Sequence, residues 1–132
     1  MDQKTARATA QAYLDAYANG DREGLLSLFT EDACFTDPVG SPPMRGKQAI
    51  AEFWDKARKG GTTFQPELRR VIVCGNEAIL LFTMKVRGAE GGGLDLELAD
   101  HFVLAEDGRI QEARAFWDPA CMQPVAAGQG EG

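Results

Sequence analysis

Three side chains in this sequence have the types and settings needed to move a proton at an activated carbon. Asp100 lies in Leu94-Asp95-Leu96-Glu97-Leu98-Ala99-Asp100-His101-Phe102-Val103-Leu104, where alternate positions read Leu, Leu, Leu, Asp, Phe, Leu. In a strand, that alternation puts Asp100 on the apolar face. An ionised carboxylate without a partner is so costly to bury that the group takes up a proton instead and becomes a hydrogen-bond donor. Tyr13 lies on the apolar stripe of a predicted helix, so its ring is inside and its hydroxyl must find a partner there. Asp37 precedes Pro38 at the end of a predicted strand. Two neutral donors and one ionised carboxylate supply an oxyanion site and a general base, the equipment for removing a proton next to a carbonyl. Each residue also has an ordinary alternative: a bulge that turns Asp100 to water, a tyrosine bonded to a core carbonyl, and a routine Asp-Pro-x-Gly turn.

The elements that must position them follow from periodicity. Ala6, Ala10, Tyr13, Leu14 and Tyr17 fall at helical spacing, and Asn19-Gly20 stops that helix. Asp21 caps a second, shorter helix carrying Leu25, Leu26, Leu28 and Phe29. A short strand, Ala33 to Thr36, ends at Asp37-Pro38, because the residue before proline is pushed to extended geometry. After a loop from Val39 to Gly46, a third helix runs from about Lys47 to Arg58, with Ile50, Phe53, Trp54 and Ala57 on its stripe.

Everything beyond is strand-like. Phe64 to Cys74, Glu77 to Val86, Leu94 to Glu106 and Arg109 to Trp117 are separated by hairpin signals: Gly75-Asn76, the glycine-rich 88–93 stretch, and Asp107-Gly108. Helices first and a strand meander afterwards predict an α+β domain, three helices on one face of a curved, largely antiparallel sheet. The domain is expected over residues 1–118, with 119–132 a disordered tail of small and polar residues. The strand Ala78 to Val86 is apolar on both parities, with Ile79 and Leu81 opposite Ala78, Leu80, Phe82 and Met84. Helices on one face need only one apolar parity, so the second points to a homodimer through the sheet.

Composition narrows the partners. At 132 residues one core suffices, and fourteen Lys and Arg against twenty Asp and Glu give a net charge of −6. That charge repels nucleic acid and anionic lipid. The absence of any apolar run near the ~20 residues of a membrane helix, and of a signal-peptide core at the N-terminus, predicts a cytoplasmic protein. Cys34, Cys74 and Cys121 are scattered and His101 is the sole histidine, so neither a metal site nor another cofactor is expected. His101 has the parity opposite to the apolar face, which also argues against a Cys–His nucleophile.

The segments Tyr13…Asn19-Gly20-Asp21, Asp32-Ala33…Thr36-Asp37-Pro38-Val39-Gly40-Ser41, Gly46, Ile50…Glu52-Phe53, Ala99-Asp100-His101-Phe102 and Ala115-Phe116-Trp117 together resemble bacterial Δ5-3-ketosteroid isomerases. Those enzymes belong to the larger group of cone-shaped NTF2-like or SnoaL-like proteins. The resemblance spans roughly Ala10 to Trp117. It implies isomerisation of 3-oxo-Δ5-steroids to 3-oxo-Δ4-steroids through a dienolate. Asp37 would carry the proton from C4 to C6, while Tyr13 and protonated Asp100 hold the C3 oxygen; the neutral acid is the family's own known device. Phe53, Trp54, Leu80, Phe82, Leu98 and Trp117 are expected to contact a small apolar steroid-like substrate. One departure stands out: the family typically places a second tyrosine on the third helix in support of the first, and Trp54 occupies that position here. The competing readings are a SnoaL-like polyketide cyclase, a limonene-epoxide-hydrolase-like enzyme, and a non-catalytic steroid or lipid carrier.

Overall fold

The computed structural model describes residues 2–128. Helix α1 spans Gln3–Asn19 and is capped by Asp2, whose carboxylate accepts from the Thr5 amide at 2.7 Å. It ends at Gly20, which takes the left-handed conformation at φ 65° that glycine adopts without a Cβ penalty. Its buried residues include Ala6, Ala10, Tyr13, Leu14 and Tyr17, the stripe read from the sequence. Helix α2, Arg22–Ser27, is capped by Asp21 through the Gly24 amide at 2.9 Å. It stops before Leu28 and Phe29, which the sequence reading placed on it. Phe29 instead opens strand β1, Phe29–Thr36, where it is fully buried against the core. A short β2, Met44–Arg45, precedes α3, Lys47–Ala57, which buries Ile50, Ala51 and Trp54.

Strands β3 (Thr63–Cys74), β4 (Glu77–Arg87), β5 (Gly93–Leu104) and β6 (Ile110–Phe116) follow, each within a residue or two of expectation. The sheet order is β2-β1-β6-β5-β4-β3. The expectation of a largely antiparallel sheet needs correction: the sheet is mixed, because β1 lies parallel to β6, with Cys34 opposite Glu112 and Thr36 opposite Arg114. Hairpin signals report only on consecutive strands. The pairing of β1 with β6 closes across α3 and four strands, so no turn encodes it.

The expected tail also needs correction. Pro119–Cys121 forms a short 3₁₀ turn, and β7, Met122–Val125, pairs antiparallel with Gly93–Leu96 of β5. On that side of β5, β6 covers only Ala99 to Leu104, so β7 covers the edge that β6 leaves. Residues 129–132, the end of the expected tail, lie outside the described residues.

Register settles which way β5 faces. Its pairing with β4 runs without a shift from Glu77 opposite Val103 to Arg87 opposite Gly93, placing Leu80 opposite Asp100 and Phe82 opposite Leu98. Asp100, Phe102 and Leu104 are buried on the helix side, whereas His101 and Val103 are only half-buried. His101 lies at 2.7 Å from Glu77, on the parity opposite to Asp100. The core beneath α1 is built from Phe29, Phe35, Leu80, Phe82, Phe102, Leu104 and Ile110.

Removing β7 should therefore be felt locally. In a chain ending at Asp118, the amides of residues 93–96 should exchange with deuterium about tenfold faster or more, while those of 99–104 keep their protection. Hydrogen exchange followed by mass spectrometry reads both segments, and unchanged exchange at 93–96 would mean that β7 contributes nothing to this edge.

Candidate active site

The three chemistry-bearing residues reach one cavity from three elements. Tyr13 comes from the middle of α1, Asp37 from the residue after β1, and Asp100 from the middle of β5. The cavity has a volume of about 640 Å³ including its open mouth, and it is lined by Tyr13, Tyr17, Asp37, Phe53, Ala57, Phe64, Phe82, Met84, Val86, Leu96, Leu98, Asp100 and Trp117. Apart from the two tyrosine hydroxyls, the two carboxyls and the Trp117 indole N–H, that lining carries apolar side chains. A ligand with one oxygenated end and a large apolar remainder matches this distribution.

The electrostatics separate the two carboxyl groups. Asp100 is 2% exposed, and its Oδ1 has no hydrogen-bond partner among the described residues. Burial pushes its carboxyl well above the ordinary carboxylate range, and the nearby charge of Asp37 pushes the same way. Hydrogen bonding with Tyr13 pulls in the opposite direction, and Oδ1 is left without a partner. This environment favours the neutral acid at Asp100. Tyr13 is 3% exposed and is driven well above its usual value, first by burial and then by Tyr17 and the two carboxyls. It keeps its proton and remains a donor.

Asp37 differs from Asp100 in having a partner for its charge. It is only partly buried, and the Trp117 indole N–H donates to its Oδ1 at 2.8 Å. Burial raises its carboxyl, and the Trp117 bond opposes that rise by favouring the charged form. Of the two acids Asp37 therefore ionises first, and once it is ionised it discourages Asp100 from following. The result is one carboxylate facing two neutral donors across an apolar space.

Of the expected substrate contacts, Phe53, Phe82, Leu98 and Trp117 line the cavity. Leu80 and Trp54 do not, which corrects the sequence reading for both. Leu80 has 0% exposure beneath the cavity floor, and the Trp54 ring packs on Tyr17 with centroids 4.9 Å apart. The reading missed Tyr17, Ala57, Phe64, Met84, Val86 and Leu96. Met84, Val86 and Leu96 share the strand parity of Phe82 and Leu98, so alternation alone could have found them. Tyr17 stands one helical turn beyond Tyr13, and its spacing was equally readable.

Comparison with known proteins places the chain in a family. The SnoaL-like domain model matches residues 10–113. A steroid Delta-isomerase of Nocardioides simplex is 32% identical over 116 residues, covering 88% of this chain and 92% of that protein. The epoxide hydrolase LasB of Streptomyces lasalocidi is 31% identical over 102 residues, 74% of this chain but 36% of that longer protein. Among solved structures, the Delta 5-3-ketosteroid isomerase of a Mycobacterium species superposes with a TM-score of 0.81 at 21% identity, covering 92% of this chain and 98% of that one. At that identity the superposition speaks for the fold: three helices on an open, curved, mixed sheet.

Holding Asp100 neutral has a cost that can be measured. Its folded-state pKa lies above the unfolded value, so the site penalises folding once pH exceeds that unfolded value, and the penalty vanishes below it. Asp100→Asn has no charged form to give up. It should melt several degrees higher than the parent at pH 7, at about 4 °C per kcal/mol for a domain of this size. The gap should close as pH falls to about 4, and a gap independent of pH would contradict the neutral-acid assignment.

Proposed function

We propose that this chain, which belongs to the SnoaL-like domain family, is a cofactor-independent steroid Δ-isomerase that converts 3-oxo-Δ5-steroids to 3-oxo-Δ4-steroids. The observation that carries the reading is the unpartnered, buried oxygen of a neutral Asp100 beside Tyr13, at the oxygenated end of an apolar cavity that also holds a separately ionisable Asp37. The 32% identical steroid Delta-isomerase supports the same substrate class.

In this reading the C3 carbonyl oxygen lies against Tyr13 and Asp100, and the steroid skeleton lies along Phe53, Phe82, Leu98 and Trp117. The Asp37 carboxylate takes a proton from C4, and the electrons left behind move toward the C3 oxygen, giving a dienolate. Tyr13 and Asp100 donate to that oxygen more strongly as its charge grows, so they favour the transition state over the bound substrate. Asp37 then returns the same proton to C6, the double bond comes into conjugation, and no cofactor is consumed. The Trp117 N–H keeps one oxygen of Asp37 bonded, which fixes the carboxylate plane and lowers its proton affinity.

Epoxide opening is the second reading, favoured by the LasB relative. A neutral acid and a carboxylate also suit that chemistry, with Asp100 protonating the epoxide oxygen and Asp37 taking the proton of the attacking hydroxyl. Against it, the cavity lining contains no arginine of the kind the Asp-Arg-Asp arrangement of a limonene-epoxide-hydrolase-like site requires. Turnover of an epoxide but not of 5-androstene-3,17-dione would select this second reading.

The proposal extends to a cytoplasmic homodimer through the outer face of the sheet, where Ile72 is 41% and Phe116 is 42% exposed. Sedimentation should give twice the monomer mass, and Phe116→Asp should shift it toward the monomer.

Asp37→Asn should lower kcat for 5-androstene-3,17-dione about 10²–10⁴-fold, followed by absorbance of the conjugated enone, with steroid binding retained. Because burial raises the Asp37 carboxyl, kcat/KM should decline on the acid side at a pH above the ordinary carboxylate value of 3.8. Trp117→Phe removes the opposing hydrogen bond and should move that decline to still higher pH. Wild-type turnover no faster than buffer would end the isomerase reading for this substrate.

A further inference from the structure

Tyr17 shares the polar end of the cavity with the three proposed site residues, yet the isomerase reading gives it no task. It lies four residues after Tyr13 on α1, so one helix carries both phenols on the same face, with ring centroids 5.2 Å apart and planes tilted by 57°. Its own ring is clamped. Trp54 packs at 4.9 Å and Phe64 at 5.7 Å, and the Arg58 guanidinium covers both of those rings at 4.6 and 5.0 Å. Arg58 also donates to the Tyr17 carbonyl at 3.2 Å. A ring held on this many sides, and 6% exposed, points its hydroxyl in one direction.

A phenol hydroxyl this little exposed takes a polar partner where one is in reach. Tyr13 is the polar neighbour on its own helix, and their mutual hydrogen bond raises the proton affinity of Tyr13 and lowers that of Tyr17, so without a ligand Tyr13 is the donor of the pair. Trp54 stands at the position where the resemblance calls for a supporting tyrosine, but its indole stacks on Tyr17 and lies outside the cavity lining.

We infer that Tyr17 is a positioning residue for Tyr13: once a ligand oxygen takes the Tyr13 hydrogen, the Tyr17 hydroxyl turns to donate to the Tyr13 phenol oxygen, with its ring held in place by Trp54, Phe64 and Arg58. As Tyr13 shares its hydrogen with a developing oxyanion, its own oxygen gains negative character, and a donor behind it strengthens the outward bond. Support for the first phenol thus comes from the same helix, one turn along, and Trp54 contributes by packing.

This inference rests on the isomerase reading for its kinetic arm and is independent of it for its binding arm. In the full chain, Tyr17→Phe keeps the ring and its packing. It should lower kcat for 5-androstene-3,17-dione about tenfold, less than the ~10²–10³ of a direct oxyanion donor, with KM changed less than about twofold. In a Tyr13→Phe background the same substitution should change kcat less than about twofold. Bound 2-naphthol, whose neutral and ionised forms absorb differently, should show a smaller ionised fraction in Tyr17→Phe than in wild type at equal pH. An equal loss of kcat in both backgrounds, or an unchanged ionised fraction of bound 2-naphthol, would overturn the assignment. Should wild type fail to isomerise the steroid, the isomerase reading falls, and the 2-naphthol measurement alone decides the role of Tyr17.

Discussion

A carboxyl group in an apolar wall can stay only if it stays neutral, and much of this site follows from that constraint on Asp100. In water a carboxyl at pH 7 is ionised almost completely, so the protein must supply enough desolvation to reverse the preference. It does so by placing Asp100 at a strand position flanked on the same face by Leu98 and Phe102 and paired across the ladder with Leu80 and Ala115. Those neighbours offer no counter-charge. The nearest ionisable acid, Asp37, adds repulsion and makes the neutral form safer still. Oδ1 is left without a partner among the described residues, a desolvation cost that a hydrogen bond to a ligand would offset.

The same constraint explains why the two acids sit on different kinds of backbone. Asp100 needs a rigid, dry position, and the centre of a strand paired on both sides supplies one. In the proposed isomerisation Asp37 loses and regains a proton, so it needs enough polarity to ionise. The end of β1 gives it partial exposure, and the residue just past β6 gives it the Trp117 N–H. The parallel pairing of β1 with β6 is what brings these two strand ends together, since Thr36 and Arg114 are register partners. A purely antiparallel meander would leave Asp37 and Trp117 at opposite ends of neighbouring strands.

Local signals in the sequence carried much of this. The alternation around Asp100, the stripe of α1, the cap at Asp21 and the hairpin turns all act over a few residues, and each has a direct physical reading. Phe29 was misassigned because its apolar character suits a helix stripe and a buried strand equally, and only the β1–β6 pairing decides between them. Leu80 was misassigned for a related reason: parity says which face a side chain takes, and depth within that face depends on which helix lies above it. Trp54 stands at the homologous position but its side chain packs behind another residue. The β7 strand was missed because four residues with a proline carry little pattern, and its partner edge exists only once β6 has ended.

Loss of the tyrosine at the Trp54 position need not imply a weaker oxyanion site. What the proposed reaction would require is a polarised donor at the ligand oxygen, and polarity can be delivered to Tyr13 from any direction its oxygen can accept. Delivery along α1 has a mechanical merit: the separation of two residues on one helix is fixed by the 5.4 Å pitch and does not depend on how α3 packs against α1. The large indole then serves a different end. It fills the volume between α1 and α3 and presses on Tyr17, while Arg58 closes the stack from outside. In the inferred arrangement the supporting hydroxyl is a contact within one element and not between two, which would make it less sensitive to breathing of the cavity walls when a rigid ligand enters.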